Sequence, residues 1–250
     1  MSAATLLNAA LVATPLLVAG AAALRRRVQG QRATDAGPGA VIRAFITLIG
    51  GSSVATIGAA GLRGGAIDAP DLTATVIGSA IGGLSAVIMI LRESRPERLG
   101  LRGASGAAWL AAITLPAVNI GLSSAWVWLL SSVGVTQTTQ ALMDDMRGAE
   151  SPALLLGVLY ATLGAPIAEE LAFRGLLQGW LAERRGAVPA SVGAGLMFGA
   201  LHLADPVAVL PLMVFGVALG ELRRRGGGIG PCLLAHAGNN ALAVIVGLSA

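Results

Sequence analysis

Apolar and polar positions divide the chain into long hydrophobic runs and short hydrophilic connections. A helix needs about 20 consecutive, mostly apolar residues to cross a bilayer, so each run of that size is a predicted spanning helix. Pro116 and Pro166 lie inside two runs, and we expect them to kink a helix without ending it, because neighbouring helices can bind the freed carbonyls. The eight predicted spans are Ala3–Leu24, Ala44–Leu62, Thr73–Leu91, Ala104–Ser132, Pro152–Arg174 with an extension to Leu181, Ala187–Leu203, Pro206–Leu222 and Ile229–Leu248.

This pattern predicts an all-α fold, a polytopic transmembrane bundle of about eight helices. The mean hydropathy of +0.76 and the charged fraction of 12% agree with that prediction, since a water-soluble domain carries about twice as much charge. The first run lacks a preceding basic region and exceeds a signal-peptide core, so we expect it to span the membrane and remain in the mature protein. Cys232 is the single cysteine, which excludes an intrachain disulfide.

The arginines alternate from one connection to the next. Fourteen of them fall on one side of the predicted bundle, whereas only Arg63 and Arg147 fall on the other. Cytoplasmic loops are enriched in basic residues, so we expect a multi-pass protein of the inner (plasma) membrane with both termini outside. The clusters cover no single face, so the expected partner is membrane lipid and not nucleic acid. The fourteen are Arg25, Arg26, Arg27, Arg32, Arg43, Arg92, Arg95, Arg98, Arg102, Arg184, Arg185, Arg223, Arg224 and Arg225.

Candidate chemistry lies in the C-terminal half. An ionised side chain at mid-membrane costs on the order of 3 kcal/mol, so intramembrane charged residues are functional candidates. Residues four apart share a helix face, which places Glu170 over Arg174 as a self-neutralising, supporting pair. Glu169 is left without a partner on its own helix and is the preferred general base. Small residues such as Gly78 and Gly195 are expected to let helices pack closely.

Four side chains on three predicted helices suit hydrolysis. Glu169 would activate water, an imidazole would hold that water or move its proton, and an imidazole with a carboxamide would stabilise the oxyanion. The catalytic candidates are therefore Glu169, His202, His236 and Asn240, and Asn239 is close enough to share the role of Asn240. Zn²⁺ bound by Glu169, His202 and His236 would also suit hydrolysis, so the residues leave both mechanisms open.

Three motifs of the C-terminal hundred residues resemble those of the CPBP family, which contains the type II CAAX-prenyl endopeptidases and Abi-like, bacteriocin-processing relatives. They are EExxxR at 169–174, FxxxH at 198–202 and HxxxN at 236–240. The resemblance implies that Glu169 and His202 activate water, that His236 and Asn240 form the oxyanion site, and that no metal is required. It divides the membrane domain into four N-terminal helices within 1–150 and a catalytic core of four helices within 151–250.

The expected function is thus an intramembrane endopeptidase acting on a membrane-anchored or lipidated peptide or protein. A non-catalytic scaffold or immunity protein of the same family is the alternative, and a transporter with a Glu–His proton relay is a third hypothesis. Asn119 and Gln178 are polar residues with no predicted partner. An up-and-down arrangement separates His202 and His236 in depth by roughly 12 Å, so convergence requires either helices that tilt and start at staggered heights or a helix boundary that differs from those predicted.

Overall fold

The computed structural model describes residues 37–62, 71–135, 145–149, 151–203 and 205–249, and regular structure within these ranges is entirely helical. This confirms the all-α membrane bundle. The predicted span Ala3–Leu24 lies outside the described residues. The helices are α1 Pro38–Leu62, α2 Leu72–Glu93, α3 Pro96–Leu99, α4 Gly106–Ser132, α5 Pro152–Arg185, α6 Ala187–Ala200, α7 Pro206–Gly226 and α8 Gly230–Ser249.

Six of the described helices are long and apolar enough to cross a membrane, namely α1, α2, α4, α5, α7 and α8. The predicted extension of α5 is confirmed and continues to Arg185, giving 34 residues or about 51 Å at 1.5 Å per residue. By contrast, α6 has 14 residues and is about 21 Å long. It ends at Ala200 instead of the predicted Leu203, because residues 201–203 form a turn.

Pro116 in α4 and Pro166 in α5 do not end their helices, as predicted, and Pro211 likewise lies inside α7. Helix α5 contains two π-helical turns, Tyr160–Gly164 just before Pro166 and Leu171–Leu177 just after the paired glutamates. Such turns shift side chains out of the regular helical register and are frequent at functional sites. They therefore bracket the segment that carries Glu169 and Glu170.

Glycines bring two helix pairs into close contact. A Cβ atom on Gly78 would overlap Thr56, and one on Gly82 would overlap Ser52, where α2 crosses α1. Between α6 and α7, a Cβ on Gly195 would overlap the backbone of Val217. The absence of side chains lets the backbones approach, which confirms the predicted packing role of these glycines.

The arginine-rich connections meet at one end of the bundle. Arg43 near the start of α1 forms a two-point ion pair with Glu93 at the end of α2. Nη1 of Arg98, in α3, lies 3.4 Å from a carboxylate oxygen of Glu183 near the end of α5. Arg102 donates to the carbonyl of Gly227, just after α7 (2.7 Å). The predicted grouping of these connections on one side is therefore present in the described helices.

Arg147 lies at the other end of the bundle. Its guanidinium donates to the carbonyl of Gly247, near the end of α8.

Two aspartates cap helices, since Asp71 accepts from the amide of Ala74 (2.7 Å) and Asp205 from that of Ala208 (3.3 Å). Such caps satisfy amides that have no partner within the helix.

Candidate active site

A buried ion pair on α5 lies at the centre of the candidate site. Nη1 of Arg174 is 3.0 Å from Oε1 of Glu170, and both side chains are fully enclosed. The Arg174 guanidinium also donates to the carbonyl of Gly216 on α7 (3.0 Å) and packs over the ring of Phe198 at 4.8 Å. Buried charges require such pairing and hydrogen bonding. The predicted contact between Glu170 and Arg174 is confirmed.

His236 on α8 lies between the two glutamates. Its Nδ1 is 2.8 Å from Oε1 of Glu170, and its Nε2 is 3.7 Å from Oε2 of Glu169. Since a carboxylate only accepts hydrogen bonds, Nδ1 carries a proton and donates to Glu170. Glu170 therefore accepts from both Arg174 and His236, and it orients the imidazole so that Nε2 faces Glu169.

The adjacent carboxylates of Glu169 and Glu170 have different surroundings. The side chain of Glu170 is fully buried, whereas that of Glu169 is 24% exposed. A group that must meet water and substrate has to be accessible, and only Glu169 satisfies this condition. The structure thus separates an enclosed, orienting carboxylate from one that is open to the surroundings.

His202 follows the end of α6, and its Nδ1 lies 2.9 Å from the carbonyl oxygen of Phe198. A carbonyl only accepts, so Nδ1 carries the proton and Nε2 presents a lone pair. The ring centroid of Phe198 is 5.1 Å from that of His202 and 5.4 Å from that of His236. The two imidazoles therefore flank one phenyl ring.

Because both imidazoles lie against the ring of Phe198, His202 and His236 do not have the depth difference expected from an up-and-down arrangement. Helix α8 starts at Gly230, only six residues before His236. The connection between α7 and α8 is held by a hydrogen bond from the amide of Ile229 to the carbonyl of Gly100 (3.0 Å), and Ile229 is buried. The predicted end of α6 was wrong, since His202 lies in the turn at 201–203 beyond that helix, and a wrong boundary is one of the two explanations for the expected depth difference.

Asn240 lies one turn beyond His236 on α8. Its Nδ2 donates to the carbonyl of Ala161 on α5 (2.8 Å), and its Oδ1 lies 3.4 Å from Nδ2 of Asn239. The structure thus places Asn240 against the π-helical turn that precedes the glutamates. His236 contacts both Glu169 and Glu170, and Glu170 contacts Arg174. His202 joins them through Phe198, and Asn240 borders them.

Comparison with known families matches residues 151–242 to the family described as type II CAAX prenyl endopeptidase Rce1-like. Residues 151–242 are therefore similar to that family. Neither the curated proteins nor the solved structures contain a match to the chain. The Rce1-like segment contains every predicted site residue, and the match supports intramembrane protease activity of the CAAX type without favouring the scaffold alternative.

Within the Rce1-like segment, Gln178 has the partners that sequence reasoning did not find. Its side-chain amide nitrogen, Nε2, donates to Oγ of Ser191 on α6 (3.0 Å) and to the carbonyl of Gly220 on α7 (2.9 Å). Gln178 follows Arg174 by four residues, so the spacing of Glu170, Arg174 and Gln178 was a signal for one polar face. This face joins α5 to α6 and α7.

Asn119 on α4 lies outside the Rce1-like segment and also has a partner. Its Nδ2 donates to Oδ1 of Asn239 over 2.8 Å, and both side chains are buried. No spacing within α4 predicts this contact, because it depends on how α4 packs against α8. A polar residue inside an apolar span was the available signal.

The zinc hypothesis requires a set of donors directed at a common point. Among the described residues, no three His, Cys, Asp or Glu side chains are arranged to hold a metal ion. The predicted donors Glu169, His202 and His236 do not form a metal site in this arrangement, and no step below involves a metal.

Proposed function

We propose that the protein is an intramembrane endopeptidase that hydrolyses a peptide bond of a membrane-associated or lipid-modified substrate, with Glu169 as general base. The observation that carries this proposal is the position of Glu169, which is accessible and whose Oε2 lies 3.7 Å from Nε2 of a histidine held by Glu170. A general base must be reachable by the proton that it removes. Glu169 meets that condition, and the enclosed Glu170 does not.

The proposed reaction begins with a water molecule bound beside Glu169. The carboxylate removes a proton as the water oxygen attacks the peptide carbonyl carbon, and Nε2 of His202 accepts the second hydrogen bond of that water. The tetrahedral intermediate then breaks its C–N bond, and Glu169 returns the proton to the leaving nitrogen. The products are one peptide with a new carboxylate and one with a new amine.

His236 and Asn240 are the proposed donors to the oxyanion. With a proton on Nε2, His236 is an imidazolium, and the charges of Glu169, Glu170, Arg174 and His236 then sum to zero in a largely buried site. Donors aimed at developing charge in a site that excludes water stabilise a transition state strongly. Arg174 and Glu170 keep the imidazole in position and touch no substrate in this scheme.

The proposed substrate follows from the family and from the surroundings of the site. The matched family is named for prenyl endopeptidases, and α5 and its neighbours expose large apolar side chains such as Leu163 and Ile167. A lipid-modified segment approaching from the bilayer would meet this apolar surface without dehydrating polar groups. A prenylated peptide is therefore the first substrate to test.

The test compares Glu169→Gln with the matched control Glu97→Gln in purified protein. Glu97 is an exposed carboxylate on α3, away from the site. We expect Glu169→Gln to lower the turnover of a prenylated peptide by about 10²–10⁴-fold, the usual contribution of a general base, and Glu97→Gln to leave turnover unchanged. Mass spectrometry of the peptide would measure both. Undiminished cleavage by Glu169→Gln would refute the assignment, and loss of wild-type activity in a chelator with recovery in Zn²⁺ would refute the metal-free mechanism.

A further inference from the structure

Three asparagine side chains form a chain of amides across the bundle. Nδ2 of Asn119 on α4 donates to Oδ1 of Asn239 on α8 at 2.8 Å. Nδ2 of Asn239 lies 3.4 Å from Oδ1 of Asn240. Nδ2 of Asn240 then donates to the carbonyl of Ala161 on α5 at 2.8 Å. Asn239 and Asn240 thus each accept on one side and donate on the other, and Asn119 donates.

The backbone carbonyl of Ala161 sets the direction of this chain. In the π-helical turn, the amide of Ala165 donates to the carbonyl of Tyr160 five residues earlier. The same spacing pairs Ala161 with Pro166, which has no N–H. The Ala161 carbonyl is therefore available to a side chain, and since a carbonyl only accepts, Asn240 must present its nitrogen there.

The orientation of the Asn240 amide fixes the orientations of the Asn239 and Asn119 amides. With Nδ2 of Asn240 on Ala161, its Oδ1 faces Asn239, which must present its own nitrogen. The oxygen of Asn239 then faces Asn119, which donates. Reversing any one amide would place two oxygens or two nitrogens against each other, so the orientations are coupled. Asn119 is the last donor, and it is buried, with 5% of its surface exposed.

The network leaves one hydrogen of Asn240 unused. A carboxamide has two N–H donors and one oxygen, and Asn240 uses one N–H on Ala161 and its oxygen on Asn239. The remaining N–H has a fixed direction only while the oxygen is held by Asn239. This is the hydrogen that would bind the oxygen of the peptide carbonyl during hydrolysis.

We propose that Asn119 is a positioning residue for Asn240 and acts through Asn239. This inference rests on the proposed function, because it assigns the held N–H of Asn240 to the oxyanion of a peptide substrate. It places one determinant of the reaction on α4, outside the segment 151–242 that matches the protease family. The N-terminal helices are then part of the catalytic unit.

The test uses Asn119→Leu, which keeps similar bulk and removes the donor. Losing a direct oxyanion donor, as in Asn240→Ala, should lower kcat by about 10²–10³-fold, and Asn119→Leu should lower it roughly tenfold because Asn240 remains but is less well oriented. KM should stay unchanged, since the contact forms in the transition state. Thr114→Val is the control, because this exposed α4 hydroxyl bonds only to carbonyls of its own helix.

A double-variant comparison separates positioning from structural support. In the Asn240→Ala background, Asn119→Leu should cause no further fall in kcat, whereas a general loss of structure would lower kcat in both backgrounds. Thermal unfolding in detergent checks the fold of each variant. Should Asn119→Leu fail to accumulate in membranes, Asn239→Leu serves for the same comparison, because the proposed effect passes through that residue.

The possible outcomes have distinct consequences. Unchanged kcat in Asn119→Leu, together with a reduced kcat in Asn240→Ala, would overturn the positioning role while leaving the endopeptidase proposal intact. Additive losses in the double variant would overturn it as well. If Glu169→Gln and wild type did not differ in cleavage, both the proposed function and this inference would fall.

Discussion

Individual charged residues survive in this membrane site because they neutralise each other. Glu170 and Arg174 are buried on the same helix, and Glu170 also accepts a hydrogen bond from Nδ1 of His236. Replacing a buried pair by neutral residues is often tolerated, whereas removing one partner leaves an uncompensated charge. Under the proposed mechanism, stability and catalysis therefore depend on this pair in different ways.

Substitutions of the pair should separate the two roles. Arg174→Met leaves Glu170 without its cation and should lower the free energy of unfolding by about 3–5 kcal/mol. The double variant Glu170→Gln with Arg174→Met carries neither charge, so we expect stability to return. Cleavage should remain low in the double variant, because His236 has lost its carboxylate. Thermal unfolding and peptide turnover measure the two effects.

The ion pair of Arg43 and Glu93 provides the matched control, since it joins α1 to α2 away from the site. Arg43→Met with Glu93→Gln should leave turnover near the wild-type value. Full turnover by Glu170→Gln with Arg174→Met would contradict an orienting role for Glu170 and restrict the pair to structural support.

Sequence was informative at the residue scale where partners lie on one helix. The spacing of four residues predicted the contact between Glu170 and Arg174, and the structure confirms it. The partners of Asn119 and Gln178 lie on other helices. Such contacts depend on how helices rotate and slide against each other, which a single sequence does not determine.

At the scale of helices, the close contact of α6 with α7 holds a backbone carbonyl that binds Arg174 of the candidate site. A Cβ on Gly216 would lie 2.7 Å from the carbonyl oxygen of Gly195 and 2.9 Å from its Cα. These are backbone atoms, so the helices would have to separate. The carbonyl of Gly216 also accepts from Arg174, which links this helix contact to the buried ion pair.

We therefore expect Gly216→Ala to lower both stability and turnover. Overpacking of this kind costs about 1–3 kcal/mol, and the shifted carbonyl would weaken its bond to Arg174. Gly121→Ala on α4 is the control, since a Cβ there meets no described atom within 4 Å. The unfolding temperature and the turnover should fall in Gly216→Ala and stay unchanged in Gly121→Ala. An unaffected Gly216→Ala would show that the two helices can separate without disturbing Arg174.

Helix existence was predictable, but helix ends and registers were less so. Hydrophobic runs predicted the spans that the structure describes, because burial in lipid demands apolar stretches. They did not predict that α6 stops at Ala200 or that α5 contains two π-helical turns. An apolar residue fits equally well before or after a helix end, and a π-helical turn leaves the hydrophobic pattern nearly unchanged.

For the whole molecule, the bundle has two chemically different ends. Contacts among the connections after α2, α5 and α7 gather described arginines at one end, and Arg147 lies at the other. The asymmetry of arginines along the sequence predicted this grouping. Which end faces the cytoplasm stays a prediction from the enrichment of basic residues in cytoplasmic loops.

Labelling of single cysteines tests this orientation. The native Cys232 is completely buried, so wild-type protein should react poorly with a membrane-impermeant maleimide and serves as the control. Glu97 and Asp145 are exposed at opposite ends of the bundle. We expect Glu97→Cys to be labelled only in inside-out vesicles and Asp145→Cys only in right-side-out vesicles, because the arginine-rich end should face the cytoplasm. The reverse pattern would invert the orientation, and labelling of both variants from one side would contradict the two-ended bundle.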